Sequence, residues 1–246
     1  MSTIDLITPN WPVPASIKAY VSTRHGGNSA APYLSLNLGN HVGDDVALVA
    51  RNRQIFAEQI SMPDTVIWLN QVHGTNVVKL PLTDVVESAD AAFSCQVEQV
   101  CAVLTADCLP VFLCDPQAQE VAVVHAGWRG LCEGVIESCL KYFSSPHRII
   151  AWLGPAIGPQ AFEVGQDVYN AFCEKDSLAK TAFRQGENGK WLADIYLLAK
   201  QRLSAYGVLQ VYGGDYCTFS DEEEFFSYRR DGVTGRMASV IWFEED

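Results

Sequence analysis

Hydrophobic positions along this chain fall mostly in short continuous runs rather than in helical stripes. The clearest run is Val121–Gly130, VAVVHAGWRG, in which four apolar residues, three of them β-branched, lead into His125. A small Ala-Gly pair then gives way to Trp128, Arg129 and a second glycine. Such a run bounded by turn residues predicts a buried strand that turns at once into a helix. Two more runs end alike: VIWLNQV leads into His73-Gly74, and VCAVLTAD into Cys108-Leu109-Pro110. The same patterning predicts strands at Ile17–Thr23, at two places within Thr65–Leu80 either side of Gln71–Gly74, and at Val100–Ala106 and Leu109–Cys114. Further strands are expected at Glu120–His125, Arg148–Leu153, Val208–Tyr212 and Met237–Phe243, with Ala89–Cys95 as a short connection.

Helical spacing is confined to a few stretches. Asp44 or Asp45 is placed to cap a helix carrying Val46, Val49, Ile55 and Ile60, on which Arg51 and Arg53 are polar or partner-facing. Past Arg129, the residues Leu131, Val135, Ile136, Cys139, Leu140 and Phe143 recur at three and four and predict one helix with a wide apolar face. Asp167–Cys173 and Ile195–Tyr206 are also helical, the second stopped by Gly207. Leu34–Asp45 reads as a structured loop, the acidic Asp221–Glu224 as a turn, and Arg184–Lys190 as the most exposed-looking segment. Strands outnumber helices and do not alternate strictly with them. The expected fold is therefore α+β: one compact catalytic domain over residues 1–246, with mixed β-sheets and flanking helices.

Composition narrows the function classes. The net charge of −12 argues against a general nucleic-acid or anionic-membrane surface, because both need a basic face. A small anionic substrate in a local basic pocket is still compatible. The start of the chain carries Asp5 and several prolines but no apolar stretch of signal-peptide length, and the longest apolar stretch, Val100–Cys114, is broken by Asp107. The eight cysteines include no Cys-x-x-Cys pair. Reduced thiols in a cytoplasmic protein are the expectation.

Zinc accepts Cys and His, and a catalytic site supplies three protein ligands with one position open. His73, Cys108 and His125 would make a His₂Cys set if their strand ends lie side by side. Their wide separation in sequence rules out a local finger. Other arrangements use the same residues. Cys108 could be a thiolate nucleophile activated by His125. A single copper ion also fits such ligands, whereas five histidines without an HxH pair are too few for a multicopper cluster. A zinc nucleobase deaminase would need the H-x-E…P-C-x-x-C signature, which is missing. A non-catalytic metal- or nucleotide-binding module is a further class. For anions, the candidates are Arg24 in a Gly-Gly loop, Arg129 at a helix start, and Arg229-Arg230, with Arg236 close behind. Trp128, Phe225, Phe226 and Tyr228 could stack on a flat ring.

Five segments in order, NQVHGTNVV (70–78), TADCLPV (105–111), VAVVHAGWRG (121–130), GPAIGPQAFEVG (154–165) and FFSYRRDGVTGRMASVIW (225–242), resemble the bacterial YfiH-type proteins. That family is also described as laccase-domain or polyphenol-oxidase-like proteins, purine nucleoside phosphorylases and peptidoglycan editing factors. The resemblance runs from about residue 20 to the C-terminus. It implies a compact fold similar to a cysteine-hydrolase-like toxin domain, with His73, Cys108 and His125 as zinc ligands. It further implies phosphorolysis of adenosine, inosine and methylthioadenosine, with some adenosine deamination. The family often has Cys in the Gly-Pro-x-Ile-Gly turn, where this chain has Ala156, so that position is not expected to carry chemistry. Asp107 is the nearest carboxyl in sequence to serve as proton donor to a leaving base. Purine nucleosides and phosphate are the expected partners.

Overall fold

The computed structural model describes residues 4–82 and 88–245. In chain order the first elements are β1 (Leu6–Ile7), β2 (Ile17–Ser22), α1 (Val46–Gln59), β3 (Val77–Leu80), β4 (Ala91–Ser94), β5 (Cys101–Thr105) and β6 (Leu109–Asp115). They are followed by β7 (Glu120–Ala126), α2 (Trp128–Glu133), α3 (Val135–Leu140), β8 (Ile150–Leu153), β9 (Glu163–Val164) and α4 (Gln166–Lys175). The last are β10 (Phe183–Gln185), β11 (Trp191–Ala193), α5 (Ile195–Ala205), β12 (Gln210–Gly213), α6 (Tyr228–Asp231) and β13 (Met237–Phe243). A six-stranded mixed sheet has the order β12-β8-β6-β7-β4-β3, with its two outer pairs parallel. An antiparallel sheet of order β1-β2-β13-β5 packs against it, and β10-β11-β9 forms a small third sheet. The α+β reading holds. None of the described helices is long and apolar enough to cross a membrane.

Alternation along the strands builds four layers. On β7, Ala122, Val124 and Ala126 face a core shared with Leu131, Val135, Ile136 and Leu198 of α2, α3 and α5. Val121 and Val123 point the other way, into the space between the sheets, with Phe112, Trp152, Val103, Ile241 and Phe243. The far face of the smaller sheet packs Ala102, Leu104, Val240 and Trp242 on Leu36, Leu38 and Phe56 of α1 and its approach loop. Strands buried on both faces read as unbroken apolar runs, which explains the opening pattern. The period of two also places His125 on the side of Val121 and Val123, at the end of the central strand.

Three expectations need correction. Ala89–Cys95 contains a buried strand, β4, paired with β3 and β7. Its AAFS sequence is too short to show periodicity. VIWLNQV, by contrast, is not a strand, and within Thr65–Leu80 only Val77–Leu80 pairs. This segment covers the free edge of β5 with side chains in place of a backbone ladder. Gln71 donates to the Leu104 carbonyl at 2.8 Å and accepts from its N–H at 2.8 Å, while the Thr65 hydroxyl accepts from Val100. An apolar run is equally suited to covering a strand edge and to joining it. Finally, the helix after Arg129 breaks at Gly134, which sits at φ 100° and serves both as C-cap of α2 and N-cap of α3. The apolar spacing continues across the break, so periodicity alone does not reveal it.

Asp45 caps α1, accepting from Ala47 at 2.7 Å, and Gly207 closes the α5 end at φ 84°, both as expected. A side chain at Gly134 would occupy left-handed space and approach Glu137. Gly134→Ala is expected to destabilise the protein by about 1–3 kcal/mol, read as a lowered urea midpoint at unchanged slope.

Candidate metal centre

The side chains of His73, Cys108 and His125 converge although they come from three separate segments. Their ligand atoms all lie within 4.8 Å of one another. His73 Nε2 is 3.7 Å from Cys108 Sγ, and the two imidazoles meet edge-on with centroids 4.8 Å apart. Tetrahedral zinc with one sulfur and two nitrogen ligands needs donor separations of roughly 3.3–3.6 Å. The trio stands within a few tenths of an ångström of that at its sulfur–nitrogen edge. Among the described residues no other group of three His, Cys, Asp or Glu side chains gathers in this way.

A residue that the sequence did not single out, Asp90, organises the trio. Its carboxylate is fully buried just before β4. It accepts the backbone N–H groups of Val72, His73 and Gly74 at 3.2, 2.9 and 2.7 Å, and His125 Nδ1 at 2.8 Å. Three successive N–H groups closing on one anion form a nest, and the turn they require carries His73 at φ 59°. Because a carboxylate only accepts, His125 Nδ1 bears the proton and Nε2 is turned toward Cys108 and the ligand position. Burial pushes the Asp90 carboxyl up, but the His125 and backbone hydrogen bonds outweigh it and hold it below its ordinary value. The one signal in sequence is a lone Asp in SADAAF, which reads as an ordinary turn residue.

Glycines give the ligands room. A Cβ at Gly127 would fall 2.6 Å from the His73 ring and 3.1 Å from Cys108 Sγ, and one at Gly130 would strike the Gly74 carbonyl at 2.7 Å. The Gly-Trp-Arg-Gly step after β7 is therefore the floor on which the His73 turn rests.

Cys108 and His125 polarise each other. Burial drives the thiol up, yet the charge and hydrogen bond of His125, with His73 behind it, bring Cys108 down to about 6. For His125, burial works downward, and the neighbouring sulfur and Asp90 raise it to about 9. Both shifts favour the thiolate–imidazolium form of the pair. A thiolate is a ready metal ligand. This donor set, with a carboxylate behind one imidazole, fits a metal ion.

Beside Cys108 opens a cavity of about 150 Å³ lined by Trp128, Ile157, Phe162, Ile195, Tyr228 and Arg229. The candidate arginines divide around it. Arg229 lines the cavity, donates to the Glu163 carbonyl at 2.8 Å and lies over Phe162. Arg129 lies over the Trp128 ring at 4.5 Å. Among the described residues neither forms an ion pair. Arg230 is spent on structure: it pairs with Asp231 and donates to the carbonyls of Thr218, Phe219 and Phe225. Arg24 likewise ties the Leu34 and Glu222 carbonyls together, in a recess apart from the cavity. Asp107, the expected acid, has one oxygen taken by the Thr218 hydroxyl at 2.6 Å and the other by the Arg229 N–H at 2.7 Å. With φ 88°, it clasps the Cys108 turn to α6. Ala156 lies in the core.

The family model described as "Multi-copper polyphenol oxidoreductase laccase" matches residues 18–244. The chain belongs to this laccase-like YfiH family. "Purine nucleoside phosphorylase" of Haemophilus influenzae is 54% identical over 241 residues, covering 97% of this chain and 99% of the relative. "Purine nucleoside phosphorylase YfiH" of Escherichia coli K12 is 53% identical, covering 96% and 98%. Among solved structures, Neisseria meningitidis protein NMB0706 superposes with TM-score 0.92 at 48% identity, over 98% of this chain and 99% of that one. YlmD from Geobacillus stearothermophilus gives 0.89 at 30% identity, over 100% and 98%.

Removing the Asp90 charge tests its place behind the ligands. Asp90→Asn is expected to weaken metal binding by about 10–100-fold in a chelator competition, while the folded far-ultraviolet spectrum persists. Unchanged affinity would refute the clamp.

Proposed function

We propose that this chain is a zinc-dependent purine nucleoside phosphorylase acting on adenosine, inosine and S-methyl-5′-thioadenosine, with adenosine deamination as a side activity. The carrying observation is the placement of one His₂Cys donor set at the edge of an aromatic-lined cavity whose wall includes the guanidinium-bearing Arg229. At about 150 Å³ the cavity is smaller than the roughly 300–1,000 Å³ of sites that enclose a whole drug-sized ligand. It suits a flat heterocycle, with the sugar left toward Cys108.

In phosphorolysis a phosphate oxygen bonds to the anomeric carbon as the bond from that carbon to the base nitrogen breaks. The proton of hydrogen phosphate ends on the released base, giving ribose 1-phosphate. The protein's task is to hold the two reactants in line and to stabilise the charge that moves onto the purine. Trp128, Phe162 and Tyr228 supply ring faces and edges for the base, and Arg229 supplies a positive charge beside it. When bound at His73, Cys108 and His125, the ion supplies Lewis acidity at the sugar end. Asp90 keeps both histidines aimed there, and the apolar lining excludes competing water.

The thiolate–imidazolium pair favours a second reading, a Cys108-dependent hydrolase acting on peptidoglycan precursors. The family's description suggests a third, a copper phenol oxidase.

Adenosine with inorganic phosphate is expected to yield adenine and ribose 1-phosphate, and Cys108→Ala to lower the rate at least about 100-fold. Chromatography of both products checks it. Undiminished turnover in Cys108→Ala would remove the ligand trio from the mechanism. Product formation that ignores phosphate, or survives chelation but not alkylation of Cys108, would favour the hydrolase.

A further inference from the structure

A second group of cations, one of them beside Tyr228 of the base cavity, is used by nothing described so far. Arg236 places its guanidinium 5.9 Å from the centre of the Tyr228 ring. Its Nη1 donates to the Thr234 and Gly235 carbonyls, at 3.0 and 2.9 Å, while among the described residues Nε and Nη2 have no partner. Arg53 of α1 lies over Trp68 at 4.2 Å and donates Nε to the Leu38 carbonyl at 2.9 Å. Its Nη2 is buried with no hydrogen-bond partner.

One short segment joins the two arginines. The Arg236 N–H donates to the Asn37 side chain at 2.9 Å, the Leu38 N–H returns a bond to the Arg236 carbonyl at 3.1 Å, and Gly39 rests on the Arg236 chain. Two residues past Gly39, which touches Arg236, stands His41. Partial burial, with the charges of Arg236, Arg53 and His125, pushes the His41 imidazole down. Arg236 in turn feels Cys108 and Asp107. The nearby carboxylate of Asp44 is occupied by Ser29, Asn37 and the Asp45 N–H, and among the described residues no acid pairs with Arg53 or Arg236.

A buried guanidinium nitrogen without a partner costs stability, and cations gathered without an acid repel one another. An oxyanion bridging them removes both costs, and guanidinium groups suit its geometry. We propose that Arg53, Arg236 and His41 form the binding subsite for inorganic phosphate, next to Tyr228 of the base cavity. This rests on the phosphorylase reading for its role in turnover, but not for binding.

The test measures inorganic phosphate twice on the metal-loaded protein: as a ligand without nucleoside, by equilibrium dialysis with labelled phosphate, and as KM in turnover. Arg236→Gln and Arg53→Gln are each expected to weaken phosphate binding and raise its KM by about 10–100-fold, with adenosine KM within about twofold. His41→Gln should give a smaller effect in the same direction. Arg51→Gln removes an exposed charge from the same helix and should change neither value. Should Arg53→Gln fail to fold, Arg236→Gln and Arg236→Lys decide, the lysine retaining part of the affinity. Phosphate affinity unchanged in Arg236→Gln would overturn the proposal. If the wild type binds phosphate, the variants lose it and no phosphorolysis occurs, the subsite stands and the phosphorylase reading falls.

Discussion

A fully buried carboxylate must be compensated, and the way Asp90 is compensated shapes the whole site. Four N–H donors converge on it, three from the turn at residues 72–74 and one from the His125 ring. The turn can offer three successive N–H groups only by taking the conformation that holds His73 over Cys108. The ring can offer its Nδ1 proton only by presenting Nε2 to the same point. One anion thus positions two ligands from segments about fifty residues apart in sequence. Because Asp90 immediately precedes β4, its own place is set by a strand buried between β3 and β7.

The sheets transmit this order outward. β7 lies at the centre of the larger sheet with both faces covered, so its register and the direction of His125 are fixed by packing on two sides. The glycines after it keep a gap free in which His73 and Cys108 sit. Asp107 clasps the Cys108 turn to α6, and α6 carries Tyr228 and Arg229 to the cavity. The His73–Cys108–His125 trio and the cavity are therefore built on one continuous scaffold rather than on independent loops.

How much of this is legible in the sequence depends on whether a feature repeats or is solitary. Doubly covered strands such as β6 and β7 show as apolar runs, and Asp45 and Gly207 mark helix ends by their local chemistry. His73, Cys108 and His125 stand out because each follows such a run. Asp90 does not, since its role lies in backbone groups distant in sequence, which leave no residue-type signal. The run before His73 misleads for a related reason: Gln71 and Thr65 copy a strand's hydrogen bonds with side chains, and composition does not distinguish this from pairing. Arginines divide the same way. Arg24 and Arg230 look like anion ligands from their glycine-rich or basic neighbourhoods, but carbonyl oxygens of distant loops consume their donors. Arg53 looks like an ordinary surface residue of α1 until the approach of Leu38 and Trp68 buries it.

The family's description names several coppers, whereas the chain brings together three donors, two imidazoles and one thiolate. That donor count favours a single ion with an open coordination position. X-ray absorption at the metal edge of the protein as purified addresses this most directly. The account predicts one ion per chain with one sulfur neighbour at about 2.3 Å and two imidazole nitrogens at about 2.0–2.1 Å. An ion lacking the sulfur neighbour, or more than one ion per chain, would contradict it.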